Sequence, residues 1–362
     1  MTDPMKQLRK RQARRLKWEK IKNVLLIVLI VIIILLIPIL AIKVLGEKSM
    51  HTENVDGIRM MTAPVIEDVI VEDEGETITY KGETYLYNEN IVAILCMGID
   101  EYEMTEEDAL IGASGQADML LLAILDMENG NVKLWNISRD SMTDVDIYNV
   151  DGEYVRTENM QACLAFAYGD GKEKSCENTV RSVSRLLYGM PIQSYVVLNM
   201  EAIRPLNDAV GGVEVTIHEG DILPARFKPG TTVLLQGDDV DAYVRSRRTE
   251  LPDEAIDSNN NRMARQKQYM MNFVQKALQM TKDDLMIPVK LFNIAIDNNH
   301  MITDLNVSKV AYLATSFANV GFSESDFMTV PGEVIAGETY AEYHVDDEAL
   351  YQMILDTFYI KQ

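Results

Sequence analysis

Three groups of residues carry side chains suited to holding a phosphate together with a divalent cation. Asp100 closes the apolar run ILCMGID, and Asp118 opens ADMLLLAIL behind the loop GASGQ. Ligands of α/β folds gather at strand ends, and Mg²⁺ on a phosphate takes one or two carboxylates plus phosphate oxygens. The competing reading is that both aspartates only terminate strands or cap turns. The second group is a set of arginines. Arg245, Arg247 and Arg248 close one helix-like stretch, while Arg262 and Arg265 open the next, with Gln266 one turn beyond Arg262. Guanidinium groups grip phosphate oxygens bidentately and stay charged at every relevant pH. Surface salt bridges to Glu250, Asp253, Glu254 and Asp257 account for them equally well. The third group is NISRD, where Arg139 and Asp140 follow a strand-like run and can also pair with each other at a turn. Taken together, the three groups match a metal–pyrophosphate site, where catalysis rests mostly on positioning and charge neutralisation.

Elements must bring these groups together. IVAILCMGI (91–99) and MLLLAIL (119–125) are continuous apolar runs, as strands buried on both faces require. Asn129-Gly130 predicts a hairpin turn into VKLWNIS (132–138), and Lys81-Gly82 another between ITY and ETYLY. Helices are expected at 158–168, 174–188, 201–210, 237–247, 262–280, near 307–319 and at 346–358. Strands are expected at 195–199, 213–217 and just before Pro331-Gly332. Strands interleaved with helices imply an α/β fold in which a mixed sheet is covered on both faces.

The amino terminus sets the compartment. Residues 23–42 hold no charge and suffice as a helix to cross a hydrocarbon core. The preceding tail is strongly basic, which places it on the cytoplasmic side and the rest of the chain outside. The stretch is longer than a signal-peptide core and lacks a small-x-small cleavage site, so an uncleaved anchor is expected. The chain carries −22 although its first 50 residues are basic, so the external part is very acidic and unsuited to nucleic acid. Cys96, Cys163 and Cys176 show no zinc spacing and read as buried thiols, with a Cys163–Cys176 disulfide the other choice. No Walker A loop or GxSxG elbow is present.

Seven segments in order, ILCMGID, ADMLLLAI, WNISRD, LAFAYGDG, LNDAVGGVEVTI, LLQGDDVDAYVRSRR and NRMARQKQYM, resemble the LytR-CpsA-Psr (LCP) family of cell-wall enzymes. The resemblance implies a three-layer α/β/α fold with a central mixed sheet, preceded by one transmembrane helix. The expected organisation is a cytoplasmic tail (1–22), the transmembrane helix (23–43), and a stalk with a hairpin (44–89). The LCP domain (90–281) follows, and then a C-terminal extension packed on it (282–362). The resemblance also implies a single-pass protein of the cell membrane that moves a glycopolymer, such as teichoic acid or capsule, from a polyprenyl-pyrophosphate carrier onto peptidoglycan. Carried over by position, Asp100 and Asp118 would hold Mg²⁺. Arg139, Arg245, Arg247 and Arg262 would clamp the pyrophosphate, Gln266 would position it, and the helices 158–168 and 262–280 would line a cleft for the lipid.

Three departures fall in the site. Gln116 stands where the family usually has arginine, Gln161 where it has lysine or arginine, and Asn259 within the stretch where an aspartate is common. Each removes a charge near the phosphate. The alternative function is therefore a non-catalytic binder of the polyprenyl-pyrophosphate or glycan that assists a sibling enzyme, or an envelope regulator.

Overall fold

A computed structural model describes residues 66–99, 115–149, 151–221, 223–246, 252–317, 320–337 and 340–362. The segment 23–43, with Asp100 and Arg247, lies outside them. Among the described residues no helix is long and apolar enough to cross a membrane.

The chain opens with three short strands, β1 (Val69–Glu72), β2 (Thr77–Tyr80) and β3 (Glu83–Tyr87). Lys81 and Gly82 both take positive φ at the β2–β3 turn, the conformation a two-residue hairpin requires. The apolar runs then become β4 (Ile91–Ile99), β5 (Ala117–Asp126) and β6 (Asn131–Ile137). Between β5 and β6 the loop spans four residues, and Asp126 accepts from the backbone of Glu128 and Asn129 there.

Next come the hairpin β7 (Met142–Tyr148) and β8 (Tyr154–Gln161), the one-turn helix α1 (Leu164–Ala167), α2 (Glu173–Leu186), β9 (Ser194–Asn199) and α3 (Ile203–Ala209). The helix expected at 158–168 is thus mostly strand. Its apolar residues sit in the second half, and residues 154–161 spend their backbone groups on β7.

The hairpin β10 (Val213–Thr216) and β11 (Thr232–Leu235) leads to α4 (Asp238–Arg245) and to the long α5 (Pro252–Asp283). Proline at the first helical position starts α5 ten residues before its apolar periodicity begins. The remainder is α6 (Ile287–Asp297), β12 (Met301–Thr303), α7 (Val307–Phe317), β13 (Phe327–Thr329), the hairpin β14 (Gly332–Ala336) and β15 (Ala341–Val345), α8 (Asp347–Phe358) and β16 (Tyr359–Lys361).

The central mixed sheet has the order β12-β9-β4-β5-β6-β13, and a second sheet, β1-β2-β3-β16, ties the two ends of the described chain together. One face of the central sheet, carrying Ala93, Leu95, Met97, Leu122 and Trp135, packs against α2, α8 and the second sheet. Phe358 of α8 meets Trp135 edge-on at 5.6 Å between ring centroids. The opposite face is covered by α5 and α7, through Met270, Met271 and Val274 of the first and Tyr312 and Phe317 of the second.

Candidate functional site

β4 runs parallel to β9 and antiparallel to β5, and β5 antiparallel to β6. The C-terminal ends of β4, β6 and β9 therefore meet the N-terminal end of β5 at one end of the sheet. Ile99 lies in register between Ala117 and Asn199, with neighbouring strands about 5 Å apart. Asp118, Arg139 and Met200 thus come together around the end of β4, the strand that Asp100 follows in the chain.

Asp118 is the extra residue of a β-bulge, because Gly98 pairs with Met119 and Ile99 with Ala117. Bulges turn a side chain away from the regular alternation, and here the aspartate carboxylate meets the Arg139 guanidinium in an ion pair. Nη2 of Arg139 donates to Oε1 of Gln116 at 2.8 Å, and Nε lies 3.5 Å from Asp140. Gln161 donates through Nε2 to Asp140 at 3.1 Å and to the Ala341 carbonyl at 2.7 Å. The backbone stitches the same pieces together: Ala117 N donates to Cys163 O, and Cys163 N donates to Arg139 O.

Electrostatics keep Arg139 itself charged. Burial on its own would lower the pKa of Arg139, but Cys163, Asp118 and Asp140 outweigh it and raise it, so the guanidinium stays charged. Burial pushes the Cys163 thiol up to about 11 against the pull of Arg139, so it is no thiolate nucleophile at neutral pH. The cysteines are free thiols, and no Cys163–Cys176 disulfide forms.

The arginines of α4 and α5 divide into two kinds. Arg245 donates to the Met200 carbonyl at 3.3 Å and lies 3.5 Å from Asp241, which sets it beside the end of β9. Arg262 is half-buried one turn before Gln266. Gln266 donates to the Val244 carbonyl at 3.1 Å, so it caps α4. Arg265 is fully buried, donates to the carbonyls of Tyr243 (2.9 Å) and Ser246, and pairs with Asp221. It anchors the chain just ahead of Arg247.

The connecting roles of Gln116, Gln161 and Arg265 escape sequence reasoning, because their partners are remote. The pairing of Arg139 with Asp118, by contrast, follows once β5 and β6 are recognised as neighbours. Among the described residues no group of three or more His, Cys, Asp and Glu could hold a metal ion by itself. Asp118 still supplies a hard, part-exposed carboxylate oxygen, the donor type that suits Mg²⁺ shared with phosphate.

Two of the curated relatives that the chain resembles illustrate the likeness. One is the polyisoprenyl-teichoic acid–peptidoglycan teichoic acid transferase TagV of Bacillus subtilis (strain 168), 27% identical over 166 residues covering 44% of this chain and 38% of TagV. The other is TagU of Bacillus cereus (strain AH820), with 26% identity over 185 residues, 51% of this chain and 52% of TagU. The chain thus spans about half the length of these relatives or less. Its fold is that of the B. subtilis TagV crystal structure, with a TM-score of 0.54 at 20% identity over 75% of this chain and 96% of that one. A structure of TagT bound to LIIa-WTA aligns with a TM-score of 0.52 at 18% identity, over 74% of this chain and 89% of that one. The LytR_cpsA_psr sequence model matches residues 63–357, from the first strands into the last helix, and the chain belongs to that family.

Proposed function

We propose that the protein is a phosphotransferase that moves a glycopolymer from a polyprenyl-pyrophosphate carrier onto a peptidoglycan hydroxyl. We place it in the cell membrane, anchored by residues 23–43 with the 1–22 tail inside and the acidic domain outside. One observation carries the reading: Asp118, Arg139 and Arg245 converge at the end of the sheet where one apolar face is left partly open. In that face Gly98 lies in register between Met119 and Leu198. Met119 is 37% exposed, and Cys96, Val196 and Leu198 are half-buried. An apolar floor leading to cationic side chains suits a lipid that ends in a pyrophosphate.

In this reading Arg139, Arg245, Arg247 and Arg262 hold the pyrophosphate oxygens. Gln266 and Arg265 fix the end of α4 and with it Arg245. The acceptor hydroxyl oxygen bonds to the phosphorus that carries the polymer as the bridging P–O bond of the pyrophosphate breaks; polyprenyl phosphate departs and the hydroxyl proton passes to solvent. Asp118, with Asp100, would hold Mg²⁺, which when bound adds charge neutralisation at the phosphates. Gln116 takes part by accepting from Arg139, so its neutrality removes the repulsion that a second guanidinium would bring.

The second reading is a carrier-binding protein without turnover, and the neutral amides of Gln116 and Gln161 beside Arg139 and Asp140 favour it. Turnover of a polyprenyl-pyrophosphate glycolipid by the full chain in vesicles, with and without Mg²⁺, separates the two. We expect Mg²⁺-dependent turnover that Asp118→Ala and Arg247→Ala each lower by about 10²–10³-fold. Tight binding without turnover by the unaltered chain selects the second reading.

A further inference from the structure

The β14–β15 hairpin stands beside this site with no place in the reaction so far. Its tie to the body is local. Tyr343 N donates to Asp140 O at 2.8 Å, Tyr343 Oη donates to Val330 O at 2.7 Å, and Ser141 bridges to Tyr343. The Gln161 amide latches it further, since Nε2 reaches both the Asp140 carboxylate and the Ala341 carbonyl. Tyr340, immediately before Ala341, is 72% exposed, and Val334 on the partner strand is 71% exposed. An isolated two-stranded ribbon is marginal in water, so the latch at Ala341 steadies the strand that begins next to the exposed Tyr340 ring.

We propose that this hairpin is the acceptor-sugar subsite, with Tyr340 as its stacking platform and Gln161 as the residue that positions it. The inference rests on the transferase reading for its purpose, though not for its test. An exposed tyrosine offers an apolar ring to the C–H face of a pyranose while its hydroxyl stays in water. Charge separates acceptor from donor. The described residues of 332–347 include Glu333, Glu342, Asp346 and Asp347 and no lysine or arginine, so a phosphate-bearing donor is repelled while an uncharged N-acetylated sugar is admitted.

The test is calorimetric titration of the full chain, in detergent micelles, with a soluble β-1,4-linked N-acetylglucosamine tetrasaccharide. We expect binding that Tyr340→Ala weakens about tenfold, that Tyr340→Trp retains, and that Gln161→Ala weakens less. Affinity for a polyprenyl-pyrophosphate analogue stays the same in Tyr340→Ala, which shows that the fold and the donor site survive. Unchanged saccharide affinity in Tyr340→Ala overturns the subsite, as does an unaltered chain that binds no saccharide. Saccharide binding lost in Tyr340→Ala, in a chain that turns nothing over, upholds the subsite and rejects the transferase.

Discussion

The two faces of the central sheet are built from the same strands and are finished differently. On the face toward α2 and α8, Ala93, Leu95 and Met97 are at most 1% exposed and Trp135 is fully buried. On the face toward α5, the alternate residues Cys96, Val196 and Leu198 remain half-buried at the end where Asp118 and Arg139 sit. Close packing is the rule in protein interiors, so a sealed face stabilises the fold and an open one is available to a ligand. The hinge of the difference is Gly98. It puts no side chain on the floor, and a Cβ there would stand 3.1 Å from the Met119 Cβ.

The largest effect separates chemistry from stability. Asp118→Ala and Arg139→Ala should each lower turnover by about 10²–10³-fold, in line with losing a charge-stabilising donor. Their ion pair is part-exposed, so stability should move by under about 1 kcal/mol. Turnover assays beside thermal melts check both halves, and a parallel collapse of stability would mean the pair is structural.

Next in size is the packing of the β7–β8 hairpin onto α2, beside the sealed face. Asp146 is buried under Arg181 and Arg185, each within 2.9 Å. Burial on its own would raise its pKa, but the hydrogen bonds from Arg185, Thr157 and Arg181 outweigh it and hold the carboxyl below the usual carboxylate range. The folded value is depressed, so the stabilisation is present above the unfolded pKa and is lost as pH falls through the folded one. Asp146→Asn should cost about 3 kcal/mol in urea unfolding at neutral pH, the low end for breaking a buried pair, with the gap closing in acid.

Adjacent residues of β9 sharpen the comparison most finely. Val197 faces the sealed side at 1% exposure and Val196 faces the open one. Val197→Phe should destabilise the domain by about 1–3 kcal/mol through overpacking. Val196→Phe should change stability less and weaken binding of a polyprenyl-pyrophosphate analogue, as vesicle-binding measurements will show. The smallest effect is a null: thiol alkylation at neutral pH should leave turnover unchanged, because burial pushes the thiols of Cys163 and Cys96 up, to about 11 and about 12.

What was legible in the sequence was whatever local pattern dictates. The uninterrupted apolar runs specify β4 and β5, Lys81-Gly82 specifies its hairpin, and the strand-end positions of Asp118 and Arg139 bring the two side chains together. Non-local choices stayed hidden. Residues 158–161 join a strand because β7 accepts their backbone, and α6, with Pro288 in its first turn, carries no distinct signal. Arg265 reads like its neighbours in sequence, yet its partner Asp221 lies 44 positions away and draws it inside. Gln116 and Gln161 look like lost charges until their amides are seen joined to Arg139 and Asp140.

The most direct test is photocrosslinking of the full chain with a polyprenyl-pyrophosphate analogue that carries a diazirine on its isoprenoid tail. We expect adducts on the open face, at residues such as Cys96, Leu198 and Met270, that Val196→Phe suppresses. Adducts confined to other surfaces, or unaffected by Val196→Phe, would contradict this.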